Sequence, residues 1–197
     1  MQMKINCIIG MLLLPAFSCK KPAVEILENN LTPTFTNYKI AKGQHYANND
    51  STVFLLTNYK QLRFFCKFDS SATYTTALKE NQGDINKLYG FADNNSQHHD
   101  FSARFGWNWI NNSLHLWAYI YNNGKRSYKD LGSVAIGTEI NCTIVVLPTA
   151  YVFGVNGKQT LMPRNATTTT AVGYKLFPYF GGDETAPHDV TILVKEL

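Results

Sequence analysis

Apolar and polar residues alternate in short runs along most of the chain. The longest run lies between residues 101 and 122. Phe105, Trp107 and Trp109 alternate with Arg104, Gly106 and Asn108. Beyond Asn111-Asn112, the residues Leu114, Leu116, Ala118 and Ile120 alternate with His115, Trp117, Tyr119 and Tyr121. A period of two marks a strand, because successive side chains leave a pleated backbone on opposite sides. Strand-like runs recur in "TVFLLT", "LRFFCKF", "LYGFAD", "RSYKDLGSVAI", "NCTIVVLP", "AYVFGV", "YKLFPYF" and "DVTILVKEL". "SSATYTTALKENQGDINK" reads as a long loop with a helical turn. No segment sustains a helical period. About ten closely spaced strands joined by Asn and Gly turns predict an all-β antiparallel sandwich.

Three turns set the register. Asn111-Asn112 divides two strand runs as a two-residue primed turn, in which Asn tolerates positive φ. Residue 110 then pairs with 113, 109 with 114 and 107 with 116. Asn123-Gly124 and Asn156-Gly157 are the same kind of hairpin signal. The first pairing predicts a core of Phe105, Trp107, Trp109, Leu114 and Leu116, joined by Ile192 from the last run. The reverse face sets Arg104, Gly106 and Asn108 opposite Tyr119, Trp117 and His115, with Tyr121 extending it. Such a face suits a ligand, with rings for stacking and a few polar groups for orientation. Cover by the second sheet is the plainer alternative.

Composition narrows the class. The chain has 197 residues, 13% aromatic and only 16% charged. Its net charge of +4 is small and unclustered, which argues against a nucleic-acid partner. The first residues, "MQMKINCIIGMLLLPAFSCKK", combine Lys4, an apolar run and small residues before Cys19. That is a secretory signal, too short to span a bilayer. "AFSC" resembles the lipoprotein signals of Bacteroidota, with Ala16 in place of the usual leucine. The resemblance implies cleavage before Cys19 and lipidation of its thiol. The expected organisation is a signal over 1–18, a tether over 19–35 and one domain over 36–197. Removing the signal takes only Lys4 and leaves 17 basic residues against 14 acidic. The expected location is the cell envelope, anchored to the outer membrane through lipid and facing either the periplasm or the outside. Cys66 and Cys142 fall on apolar strand faces and read as buried free thiols.

Three blocks resemble the concanavalin A-like lectin/glucanase jelly roll of laminin-G type. They are "AYVFGVNGKQ", "LHLWAYIYNNGKR" and "YKLFPYFGGDETAPHDVTILVKEL". The resemblance covers residues 36 to 197 and implies a ligand lying across the concave sheet. The ligand-binding candidates are therefore Arg104, Asn108, His115, Trp117, Tyr119 and Tyr121, and the expected partner is a polysaccharide or other glycan.

Candidate chemistry is sparse. The glucanases of this fold carry a Glu-x-Asp-x-(x)-Glu strand, since hydrolysis needs two carboxyls about 5 to 9 Å apart. The six glutamates Glu25, Glu28, Glu80, Glu139, Glu184 and Glu196 form no such run. A noncatalytic glycan-binding module is the leading expectation. The alternatives are a polysaccharide lyase acting on a uronic-acid polymer and a structural lipoprotein without a sugar ligand. A lyase needs a group to neutralise the carboxylate, a base and an acid, which would be Arg104, His115 and Tyr119, with His99 and Tyr179 as substitutes. The jelly-roll alginate lyases carry an Arg-(Ser/Thr)-Glu-x-Arg strand, and "SARFGW" keeps one arginine of it. Adjacent His98 and His99 would point apart on a strand and so suit a solvated loop better than a zinc site. No cofactor is expected, although "GGDETAPHD" offers calcium the oxygens of Asp183, Glu184 and Asp189, the last also implied by the family's closing strand.

Overall fold

The computed structural model describes residues 33–48 and 55–197. The expected signal and residues 19–32 of the expected tether, Cys19 included, lie outside the described residues. Among the described residues, twelve strands form two six-stranded sheets, all of whose pairings are antiparallel. The first sheet contains β1 (Thr36–Ile40), β12 (Val190–Glu196), β3 (Gln61–Phe68), β8 (Ile140–Val146), β9 (Ala150–Val155) and β10 (Lys158–Pro163), in that spatial order. The second contains β2 (Leu56–Tyr59), β11 (Ala171–Leu176), β4 (Asn86–Ala92), β5 (Phe101–Ile110), β6 (Ser113–Asn122) and β7 (Lys125–Val134). This is a jelly-roll sandwich. The predicted long loop holds two short 3-10 turns, Ser70–Ala72 and Lys79–Gly83.

The β5–β6 register matches the alternation. Trp107 pairs with Leu116, Gly106 with Trp117 and Arg104 with Tyr119. Asn111 and Asn112 hold φ of 50° and 56°, as a primed turn demands. Phe105, Trp107, Leu114, Leu116, Ala118 and Ile120 are fully buried against Phe64, Phe68 and Phe153 of the other sheet. Ile192 joins them. Trp109 departs from expectation: it packs at the margin of this core and is only half-buried. Its position near the hairpin tip accounts for the difference. Cys66 and Cys142 are buried free thiols with their Sγ atoms 3.9 Å apart.

Two bulges redirect side chains. In β4, Lys87 pairs with Gly106 and Tyr89 with Phe105, so Leu88 is an extra residue. The insertion turns Lys87 to the outer face and leaves Tyr89 in the core. In β7, Gly132 pairs with Leu116 and Asp130 with Trp117, which brings Asp130 to the outer face.

A buried ion pair ties the two sheets together. Asp93, just after β4, accepts from Arg164 Nε at 2.7 Å and from Nη2 at 3.1 Å, with both side chains fully buried. Tyr151 of β9 donates to the same carboxylate at 2.6 Å. Arg164 also donates to Thr168 Oγ1 and to the Thr170 carbonyl, which secures the crossing from β10 to β11. Burial opposes the charge on Arg164, and Asp93 outweighs that opposition. Asp93→Ala leaves the guanidinium buried and uncompensated, and is expected to lower the unfolding free energy by about 3–5 kcal/mol in urea titration. Replacing both partners with apolar residues, Asp93→Leu with Arg164→Met, should recover most of that loss.

Candidate functional site

On the outer face of the second sheet, Lys87 of β4 and Arg104 of β5 lie recessed among the rings of neighbouring strands, and these residues line a shallow groove. Cross-strand pairing arranges its side chains in rows. Gly90, Arg104, Tyr119 and Tyr128 form one row, and Lys87, Gly106, Trp117 and Asp130 form the next. Tyr121 and Arg126 flank the first row, while Asn108 and His115 flank the second. The first sheet packs against the opposite face, so it covers none of these residues.

Arg104 occupies the centre. It is 7% exposed, and its Nε has no hydrogen-bond partner among the described residues. Gly90 beside it makes the room, since a Cβ there would collide with the Arg104 side chain. The guanidinium carbon sits 5.6 Å from the Tyr119 ring centre. Burial works against its charge, and the phenols of Tyr119, Tyr121, Tyr174 and Tyr179 favour it. No carboxylate is among these neighbours. A buried cation without an anionic partner is costly, and such groups mark places where a ligand completes the pairing.

Lys87 adds a second cation that the alternation did not reveal, because the β4 bulge sets its direction. Its Nζ lies 4.5 Å from the Tyr119 ring centre and donates to the Ile85 carbonyl. Burial, then Arg104 and Arg126, pull its ammonium down to about 7. The Tyr119 hydroxyl shares a hydrogen bond with Arg126, while burial and Tyr121 push it above the ordinary phenol range.

The rims are aromatic. Tyr179 pairs with Lys87 through two backbone hydrogen bonds of 2.8 and 3.0 Å, which carry its ring to the groove edge. His45 stacks on Tyr179 at 5.1 Å and Tyr46 meets it edge-on at 4.9 Å. At another edge the rings of His98 and His99 touch at 4.2 Å, because both lie in a turn and not on a strand. His98 Nδ1 contacts the Tyr174 hydroxyl at 2.8 Å. Burial, then Arg104 and His99, pull His98 down to about 4, so it is neutral near pH 7. His99 packs against Tyr121 at 5.1 Å.

The six binding candidates thus share one face, with different roles. Trp117 and Tyr121 are half-buried and present ring surface. Asn108 is fully buried and accepts from Trp117 Nε1 at 2.9 Å, so it orients the indole. His115 pairs with Asp130 at 3.0 Å. It lies four residues along β6 from Tyr119, roughly 13 Å at strand spacing. One bound uronate therefore cannot touch Arg104, Tyr119 and His115 together. The groups gathered at Arg104 are Lys87, Tyr119 and the rim tyrosines.

Two of the three suggested calcium donors make other bonds. Asp189 binds Lys39 at 2.7 Å and accepts from Lys42 N at 2.9 Å. Glu184 accepts from the backbone of Ala77 and Leu78 and from Asn81. Among the described residues, no three acidic, histidine or cysteine side chains converge where they could hold a metal.

No family model and no curated protein matches the sequence. Solved structures do resemble the fold. The alginate lyase AlyC3 in complex with dimannuronate aligns over 83% of this chain and 73% of its own, at 13% identity and a TM-score of 0.53. A glycoside hydrolase family 16 endo-glucanase from Bacteroides ovatus aligns over 84% of this chain and 81% of its own, at 13% identity and a TM-score of 0.51. A second family 16 structure from that organism, holding a glucan product, gives 11% identity and a TM-score of 0.52. The chain has the concanavalin A-like jelly roll of these polysaccharide-active proteins.

Lys87 has a signed pH consequence. Its folded value near 7 lies below the ordinary 10.5. The unfolded chain therefore binds the extra proton between these values, and stability rises as pH rises through that window. Affinity for an anionic ligand moves the other way and weakens above about pH 7, as the ammonium is lost. Thermal melts and oligouronate titrations of wild type and Lys87→Met across the window should show both trends in wild type and neither in the variant.

Proposed function

We propose that this protein is a lipid-anchored, extracytoplasmic module that binds an acidic polysaccharide in the groove of its second sheet, without cleaving it. The observation that carries the reading is Arg104, a buried guanidinium facing the groove with phenols around it and no carboxylate. A uronate carboxylate supplies the missing partner. Lys87 strengthens the attraction, and Trp117, Tyr121 and Tyr128 offer ring faces and edges to the sugar. The likeness of fold to proteins holding dimannuronate or glucan products supports a glycan ligand. Lipidation at Cys19 and an envelope location rest on the leader sequence alone.

A lyase is the second reading, favoured by the contact between Lys87 and Tyr119 beside Arg104. In β-elimination Arg104 would neutralise the uronate carboxylate, and unprotonated Lys87 would take the proton from C5. The Tyr119 hydroxyl would give its proton to the leaving O4 as the C4–O4 bond breaks and the C4=C5 bond forms. Binding is preferred because the face lacks His115 at this cluster and Lys87 is itself held by the Ile85 carbonyl.

Arg104→Met separates the readings. A binding role predicts at least about thirty-fold weaker capture of acidic oligosaccharides on a glycan array, with thermal stability unchanged or raised, since an uncompensated buried charge is removed. Trp117→Ala should weaken binding about two- to ten-fold. A fall in stability with binding intact would make Arg104 a structural tie and defeat the proposal. Growth of ultraviolet absorbance from unsaturated uronates, lost in Tyr119→Phe, would establish the lyase instead. For the anchor, a fatty-acid probe should label wild type and not Cys19→Ala; equal labelling of both would refute lipidation.

A further inference from the structure

A second cleft opens at the end of the sandwich, between the 74–82 loop and the tip of the β5–β6 hairpin. Its volume is about 500 Å³, within the roughly 300–1,000 Å³ of small-molecule sites. Trp109 and Tyr74 line it. Trp109 alternates with Asn108 along β5, so it stands on the opposite side of the sheet from Trp117 and the groove. The two sites do not share a wall.

The cleft is held open by bonds made within its own frame. Gln82 Nε2 donates to the carbonyls of Tyr74 and Trp109, while its Oε1 accepts from Thr76 N. One amide thereby fastens both walls at the base. Glu184 braces the loop from outside through Ala77 N, Leu78 N and Asn81. Tyr74 is locked by the amide of Asn86 at 2.9 Å and by edge contacts with Trp107 and Phe180. Burial pushes its hydroxyl up to about 12, so it stays protonated.

Apart from the Thr76 hydroxyl, which bonds the Leu78 carbonyl and Gln82 Oε1, the other polar side chains of the lining are uncommitted. The side chains of Thr75, Lys79, Asn111 and Asn112 make no hydrogen bond or ion pair with other described residues, and neither does the indole N–H of Trp109. Both asparagines are exposed and sit at positive φ, presenting their amides beside a half-buried indole. A braced aromatic wall with several convergent hydroxyl, amide and ammonium groups matches the chemistry of a pyranose: apolar ring face, hydroxyl edge. We infer that this cleft is a second sugar site, which takes a single pyranose ring independently of the groove.

The test uses indole N–H resonances of the whole mature chain. Trp107, Trp109 and Trp117 report the core, the cleft and the groove in turn. The probes are monosaccharides: glucose, galactose, mannose, N-acetylglucosamine and glucuronate. A saturable shift of Trp109 with at least one of them is expected, retained in Arg104→Met. Lys79→Ala and Asn112→Gly, the latter chosen because glycine keeps the positive φ, should each weaken it about two- to ten-fold. Silence of Trp109 across the panel overturns the inference. So does a Trp109 response that disappears in Arg104→Met, or one that both cleft variants leave unchanged. The two cleft variants leave the groove's own response at Trp117 unchanged, whereas Arg104→Met removes it, so the two sites succeed or fail separately.

Discussion

The turn at Asn111-Asn112 is the constraint on which the functional face depends. Side chains alternate along a strand, so shifting the hairpin by one residue would exchange every inward group for its outward neighbour. Arg104, Trp117 and Tyr119 would enter the core and Phe105, Trp107 and Leu116 would meet water. Two asparagines at φ of 50° and 56° hold the register from one end. The apolar set holds it from the side, because Trp107 and Phe105 find Phe68, Phe64 and Phe153 only in this arrangement. Local turn chemistry and long-range packing therefore agree, which is what makes a sequence specify one structure.

The groove is assembled against the preferences of its own parts. Arg104 and Lys87 are both buried and both cationic, and each works against the charge of the other. Phenol rings partly compensate through their faces, and Asp84 offsets part of the penalty at Lys87, but no carboxylate pairs with Arg104. The energy for this arrangement comes from the sandwich below it. Glycines at 90 and 106 clear space that any side chain would fill: a Cβ at 106 would strike Ile85. Binding sites commonly hold such unfavourable local choices in place by a rigid surround.

That surround has polar ties at two places between the sheets. Arg164 and Asp93 close one, with Tyr151 across from the other sheet. Glu196 of β12 closes the second, accepting from Tyr59 of β2, Tyr89 of β4 and Lys175 of β11. Burial and Glu196 raise the Tyr59 and Tyr89 hydroxyls well above the ordinary phenol value, so both remain donors. These networks fix how the sheets lie upon one another, while the aromatic layer between them supplies the burial.

Sequence alone determined the fold class, the β5–β6 pairing and the facing of Arg104, Asn108, His115, Trp117, Tyr119 and Tyr121. Those features follow from local rules: a period of two, and turns that only certain residues tolerate. Tertiary structure decided the rest. Lys87 reached the groove through a bulge, which inserts a residue without any mark in the alternation. Tyr179 arrived from the loop before β12, far along the chain. His115 fell out of the Arg104 cluster because distance along a strand accumulates at about 3.3 Å per residue, even where the facing is right. Trp109 is only half-buried, because it sits near the hairpin tip at the margin of the core. The partnership of Asp93 with Arg164 was equally invisible, since 71 residues separate them and only the folded chain brings a lone acid to a lone base. Alternation states which way a side chain points; what it meets there is set by elements remote in the sequence.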